Sequence, residues 1–463
     1  MHGVFIENGL SDWQILQHKN GSAEITLSGT YLVPKAAIKQ GVASAQPMAR
    51  IMSEDDNVQI IPWTDAEYET DDTVNSGSWS IRMTVPAGGL YRVETGLKVV
   101  STLPNVQWTF RGDTRLHFGV GDVFMIAGQS NSAGYGKDTA FDPPQLGVHL
   151  YRNRHAWDIA SHPMNESGFG ADAPNAEMGV SGVSPYLAFG KRFSALSHYP
   201  VGLIATAMGG MPMKRWNPDG GPLYKNMLAQ AKACGPIAGV LWYQGCSDTN
   251  ERRAPEYKEK YYQFIDAFRR DLGYPVTFFT FQLNRQINGE NDPGWGMVRE
   301  AQRTAAHDFE KLYILPTLNC SLSDGIHNNA HSCMLIGERM ARLCANVLYG
   351  TPEFFAPEIT SATLRQQKLT LTFDHVQRGF AMSSDLPEDS GFTVRDEQGE
   401  IPLQDRLITA QNTVTLTLSR EVAANATVSF AWQSNPTTVL LTDEVTYLPP
   451  LSFYEYPITI EQS

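Results

Sequence analysis

The sequence lacks cysteine pairs, an excess of basic charge and any long apolar run. Its five cysteines (Cys234, Cys246, Cys320, Cys333, Cys344) are odd in number, and no two are spaced as CxxC. Neither a disulfide framework nor a zinc site follows from that spacing, and a reducing, cytoplasmic setting is expected. The alternative is a secreted protein whose signal peptide has been removed, because the start "MHGVFIENGLSDWQ" shows no basic flank followed by an apolar core. Lys and Arg number 36 against 49 Asp and Glu, a net charge of −13. No basic patch is available to neutralise phosphates, which argues against nucleic acid and anionic membrane surfaces as partners. No stretch reaches the roughly 18 apolar residues that a membrane span needs. Internal repeats and low-complexity segments are also missing.

What is present is core-forming material, with 42% hydrophobic and 10% aromatic residues over 463 positions. That length predicts two or three domains. Residues 1–118 read as strands: "AEITLSGTYLV", "SWSIRMTVP" and "YRVETGLKVV" alternate apolar with polar and are separated by Gly, Asn and Asp. Over 119–352 short apolar runs (Val123–Ala127, Val201–Thr206, Ile237–Tyr243, Val276–Leu283, Leu312–Leu318) alternate with amphipathic helical stretches such as "APEYKEKYYQFIDAFRRDL". Strand and helix in turn predict an α/β core with a parallel sheet. Strand texture returns over 353–463, in "KLTLTF" and "TVTLTLS". The expected architecture is therefore an α/β domain flanked by N-terminal and C-terminal β-sandwich-type domains.

In an open α/β sheet, ligands sit beyond the carboxyl ends of the strands. Four polar clusters fall there: "AGQSN" after the first strand, "MGGMPMKRW" after the second, "QGCSD" after the third and "NCSLSDGIHNN" after the fifth. Ser130, in the first, is a candidate nucleophile, although a serine after a strand also commonly caps the next helix. "GQSNS" departs from the GxSxG elbow, since Ser132 stands at the last position. His327 is the candidate base and Asp324, three residues earlier across Gly325, its orienting carboxylate. His331 falls one turn into the following helix and reads as a capping or surface residue. Backbone N–H groups at Ser130 and at Gly209 and Gly210, and the Gln244 amide, are candidate oxyanion donors.

These residues resemble a known family. "GQSN", the Gly of "GGMPMKRW", "WYQGCSD" and "DGIH" are similar to the four blocks of the SGNH hydrolase superfamily, and more closely to its sialate O-acetylesterase-like carbohydrate acetylesterases. The likeness runs over roughly 119–460. It implies a flavodoxin-like three-layer SGNH hydrolase core and hydrolysis of sugar O-acetyl esters without metal or cofactor. It also implies Ser130 as nucleophile, His327 as base and Asp324 as orienter, with Ser130, Gly210 and Gln244 as the oxyanion hole. Gln129, Asn131, Gly209, Arg215 and Trp216 are expected to contact the substrate, the last two a sugar carboxylate and a pyranose face. The partner is then an acetylated carbohydrate, sialic acid or a plant polysaccharide; the oligomeric state stays open. One departure is Cys246, where that branch commonly has Glu; as a nucleophile it competes poorly with its reading as a small buried thiol. The rival functions are a carbohydrate-binding protein with a decayed site, and a lipase or thioesterase of the same superfamily.

Overall fold

The computed structural model describes residues 2–165, 182–382, 390–436 and 441–461. Its N-terminal part is two β-sheets over a shared apolar core. In the first, Ser22–Leu32 pairs antiparallel with Ser76–Pro86 in unbroken register, and Gly3–Asn8 and Glu67–Thr70 complete the sheet. Ile25, Leu27 and Tyr31 point inward from one strand and Ile81, Met83 and Val85 from the other, the period-2 pattern that the sequence carried. The second sheet is built from Val42–Ser53, Gly88–Ser101 and the start of Gln107–Gly128.

Gln107–Gly128 runs across the expected boundary at 118/119. It is one strand of 22 residues with no break. Its first half pairs with Gly88–Ser101, and its second half lies between Val201–Ala205 and Gly239–Tyr243. From Phe118 onward every residue is buried, whereas before it only one face is covered. The sequence texture changes there because the covering changes, while the backbone runs on.

The α/β part has the strand order Ala156–Ile159, Val148–Arg152, Val201–Ala205, Gln107–Gly128, Gly239–Tyr243, Thr277–Phe281, Leu312–Leu315. Every neighbouring pair is parallel except the edge strand Ala156–Ile159. The two strands at that edge are absent from the sequence reading. His149 and Arg152 interrupt their apolar pattern, yet both are buried, His149 Nδ1 bonding Trp13 O at 2.7 Å and Arg152 Nη2 donating to Ile159 O at 3.1 Å.

Helices Pro185–Ser197, Pro222–Cys234, Ala254–Leu272, Asp292–Asp308 and Ala330–Tyr349 match the five amphipathic stretches. Phe124, on the central strand, meets Phe189 and Phe193 of the first helix edge to face, at 5.0 and 4.9 Å between ring centroids. Burying such a ring contributes about 1.5–3 kcal/mol, and each aromatic pair about 0.5–1.5 kcal/mol more. Among the described residues, no helix is long and apolar enough to cross a membrane.

Beyond Tyr349 the chain forms a further β domain, with a five-stranded and a four-stranded sheet around Leu371, Phe373, Leu416 and Phe430. Arg299 joins it to the α/β core. This fully buried side chain donates to the carbonyls of Leu283 and Asn284 on one side and Ala431, Trp432 and Gln433 on the other. Among the described residues no carboxylate bonds it; five carbonyl oxygens share the charge. Burial pushes the guanidinium down to about 9, which leaves it ionised at neutral pH.

Candidate active site

The parallel sheet changes direction at its central strand. After Gln107–Gly128 the chain first lays down Val148–Arg152 two places away, returns to fill the gap with Val201–Ala205, then crosses to Gly239–Tyr243 on the other side. Side chains that follow Gly128 emerge at that switch point, where an α/β sheet leaves a crevice. Gly128 has φ +125°, and a Cβ there would lie 2.3 Å from Tyr243 O. Only glycine lets the strand turn so close to its neighbour.

The turn delivers Ser130 to the first position of the short helix Ser130–Ala133. Its N–H, in the first turn, has no intrahelical acceptor. Ser130 Oγ lies 2.9 Å from His327 Nε2, and His327 Nδ1 lies 2.8 Å from Asp324 Oδ2. Hydroxyl, imidazole and carboxylate thus form one hydrogen-bonded line between residues 197 apart in the chain. Asp324 also shapes the turn that carries the histidine. Its Oδ1 accepts the N–H groups of Ile326 and His327, both at 2.9 Å. Burial alone would raise the Asp324 carboxyl, but the bonds from His327 and the two backbone N–H groups prevail and hold it at about 2. A carboxylate in that state steadies an adjacent imidazolium.

Three neighbours of this line carry no signal in the sequence reading. The Tyr135 ring lies 4.9 Å from the His327 ring, tilted by 31°. Lys137 Nζ lies 3.6 Å from Asp324 Oδ2. Asp138 Oδ1 accepts Ala330 N–H at 2.7 Å, tying the loop after the nucleophile to the helix after the histidine. "GYGKD" reads as an ordinary Gly-rich loop, and only folding shows what it faces. His331 is largely exposed, its Nδ1 3.5 Å from Asp138 Oδ2.

Several expected substrate contacts are corrected. Gln129 is buried, and its Oε1 accepts the N–H groups of Gly245 at 2.9 Å and Ser247 at 3.3 Å. Asn131 is buried too; its Oδ1 accepts Asn328 N–H at 2.9 Å and its Nδ2 donates to Ile326 O at 3.3 Å. Both residues brace backbone and face no open space. Trp216 has no exposed surface and packs on Trp242 and Phe264 at 5.1 and 6.1 Å. A ring so enclosed cannot stack on a sugar. Arg215 remains partly exposed in the same 3₁₀ turn.

The second and third clusters meet through a carboxylate that the sequence reading passed over. Asp248 is buried, and its Oδ2 accepts Met213 N–H at 2.9 Å and Gln244 Nε2 at 2.6 Å. Burial raises its carboxyl above the usual range, partly offset by those bonds. Gln244 is correspondingly corrected as an oxyanion donor. Its side chain is fully buried, and its amide protons go to Asp248 and to Met211 O at 3.2 Å. Met208 N–H donates to Gly128 O at 3.0 Å, setting the following turn beside the nucleophile. In that turn Gly210 has φ +67° and is exposed, and a Cβ there would touch nothing within 4 Å. Gly209 keeps a bonded partner of its own.

Cys246 is partly exposed, yet its surroundings are dry enough to push the thiol up to about 12. Almost no thiolate exists there at neutral pH, so Cys246 offers no competing nucleophile.

Against this geometry, residues 120–346 match the family model of carbohydrate esterases described as sialic acid-specific acetylesterase. The central domain is similar to that family over this segment. The matched segment takes in the strand end before Ser130, all four clusters and most of the helix after His327. An Arabidopsis thaliana protein named a probable carbohydrate esterase is 31% identical over 176 residues, covering 33% of this chain and 65% of its own length. A crystal structure of a carbohydrate acetylesterase from Xanthomonas citri superposes with a TM-score of 0.64 at 19% identity, covering 96% of this chain and 97% of that one. The shared fold therefore extends beyond the matched segment into both β regions. A crystal structure of the Arabidopsis protein gives a TM-score of 0.42 at 23% identity, covering 49% of this chain and 98% of its own. Residues 352–437 match a model for a repeat described as flagellar system-associated.

Proposed function

We propose that this protein is a serine carbohydrate O-acetylesterase working through an acyl-enzyme. The observation that carries the reading is the line Ser130 Oγ, His327 Nε2, Asp324 Oδ2, at 2.9 and 2.8 Å along a family-matched segment. His327 Nε2 takes the Ser130 proton as Oγ attacks the acetyl carbonyl, and Asp324 steadies the imidazolium. The C–O bond to the sugar breaks, and the sugar oxygen leaves with the proton from His327. Water, deprotonated by His327, then attacks the acetyl-serine and releases acetate. General base action of this kind contributes about 10²–10⁴-fold.

The N–H groups of Ser130 and Gly210 are the proposed oxyanion donors, each worth about 2.7–4 kcal/mol in the transition state. The order of the parallel sheet, with Pro185–Ser197 against Ala330–Tyr349 and Ala254–Leu272 against Asp292–Asp308, supports a flavodoxin-like three-layer core. The five unpaired thiols favour a reducing, cytoplasmic setting.

Turnover of 4-nitrophenyl acetate tests the reading. Ser130→Ala should lower kcat by about 10⁴-fold or more without altering the unfolding transition. A variant that retains most of its turnover would remove Ser130 from the mechanism. Acetyl against octanoyl esters separates an acetylesterase from a lipase, and acetate release from a glycan separates either from a binding protein.

A further inference from the structure

A cleft of about 640 Å³ lies beside the triad and includes none of its members. Its size suits a small ligand, for which sites of about 300–1,000 Å³ are usual. One wall begins at Cys246, whose neighbours Gly245 and Ser247 both donate their N–H groups to Gln129, next to the nucleophile. The opposite wall is the loop after Thr277–Phe281, and Ile287 N–H within it donates to Gly325 O, inside the turn from Asp324 to His327. Each wall is therefore bonded to a backbone segment that positions a reacting group.

The lining gives the chemistry of the occupant. Asn250, Gln286 and Asn288 contribute amides, Glu251 and Glu290 carboxylates and Arg252 a single guanidinium, over a floor formed by Trp295. The side-chain amides of Gln286 and Asn288 make no hydrogen bond within the described residues, and Asn288 is exposed. An amide donates and accepts at once, which suits hydroxyls that do the same. Two carboxylates against one guanidinium make the cleft locally anionic in a chain of net charge −13, so an anionic ligand meets repulsion there.

From these observations we infer that the cleft is the leaving-group subsite and that it takes a neutral, polyhydroxylated glycan in preference to a carboxylate-bearing sugar. This deepens the esterase reading and rests on it for the identity of the reacting bond. The C-terminal β domain takes part by holding the loop. Ser434 N–H and Oγ donate to Asp292 Oδ1 at 2.8 and 2.6 Å, and Ser434 O accepts Gln286 N–H at 2.7 Å. One residue of that domain thus grips both ends of the wall that bears Asn288.

The test is calorimetric titration of the Ser130→Ala protein with partially O-acetylated xylo-oligosaccharide and with 9-O-acetylated N-acetylneuraminate. The neutral glycan should bind at least about tenfold more tightly. Gln286→Ala and Asn288→Gly should each weaken it about three- to tenfold, the scale of one lost hydrogen bond; glycine is chosen because Asn288 has φ +59°. Glu251→Gln with Glu290→Gln should improve sialate binding several-fold and leave the neutral glycan little changed. Equal or tighter binding of sialate, no binding of either sugar, or full affinity in the Gln286 and Asn288 variants would overturn the proposal. Hydrolysis of 4-nitrophenyl acetate by the unaltered protein is read separately. Glycan binding without that hydrolysis would defeat the esterase reading alone; hydrolysis without glycan preference would defeat the cleft alone.

Discussion

Asn131 Oδ1 accepts the backbone N–H of Asn328 at 2.9 Å, so the residue after Ser130 holds the residue after His327. The same side chain donates to Ile326 O, and His327 is therefore clamped on both flanks. Asn131→Ala leaves Asn328 N–H without its acceptor and frees the turn. A misplacement of about 1 Å at a reacting group costs about 10²-fold. Asn131→Ala is expected to lower kcat on 4-nitrophenyl acetate by about 10–100-fold with a smaller change in KM. Steady-state kinetics check this, and an unchanged kcat would mean that the turn holds itself.

Asp324, the orienting carboxylate of the proposed mechanism, also makes an acid-sensitive contribution to stability. Asp324→Asn keeps an acceptor for the backbone but turns the wrong partner to His327 Nδ1, and kcat should fall by about 10⁴-fold. Its folded carboxyl, at about 2, lies below the ordinary 3.8. A depressed acid stabilises the fold fully above its unfolded value and loses that contribution as pH falls through the folded one. The stability gap between the native protein and Asp324→Asn should thus be constant above about pH 5 and close between about pH 4 and 2. Denaturant midpoints measured across that range provide the check.

Asp248, the last residue of "WYQGCSD", joins the second cluster to the third. Asp248→Ala orphans Met213 N–H and Gln244 Nε2, each at about 1–3 kcal/mol when buried. The variant should be less stable by roughly 2–5 kcal/mol. Activity should fall as well, because the turn containing Gly210 loses its support. Asp248→Asn retains an acceptor and should recover most of both losses; failure to do so would point to the charge itself.

Cys246 should resist alkylation. With its thiol at about 12, iodoacetamide at pH 7.5 is expected to leave 4-nitrophenyl acetate turnover intact for hours. Rapid inactivation matched to a label on Cys246 would show a thiolate that burial should suppress.

Arg299 is the fifth test. Arg299→Met fills much of the volume but leaves five carbonyl oxygens, four of them buried, without their shared donor. A cost of about 3–5 kcal/mol is expected. Because Ser434 holds the cleft loop from the same C-terminal segment, KM for a glycan should rise more than KM for 4-nitrophenyl acetate. Equal changes on both substrates would separate the domain contact from the cleft.

Local pattern carried much of this molecule. Period-2 alternation announced Ser22–Leu32 and Ser76–Pro86, amphipathic spacing announced the five helices, and polar residues at strand ends drew attention to Ser130, Asp324 and His327, which the fold brings into one hydrogen-bonded line. Those signals are local, since each depends on which face of one element is covered. The positions that misled are polar residues whose partners lie far away in the chain. Gln129, Asn131 and Gln244 look like groups offered to a ligand, yet the fold turns each toward backbone or a carboxylate from another segment. Trp216 looked like a sugar platform until Trp242 and Phe264 closed over it. The cleft loop was silent for a related reason: "RQINGEN" is ordinary loop composition, and only the docking of Ser434 against Asp292 and Gln286 gives it a shape. Which residues are apolar, and at what period, is written in the chain. Which polar atoms find one another depends on packing, because a buried donor must be satisfied by whatever the assembled layers bring within about 3 Å.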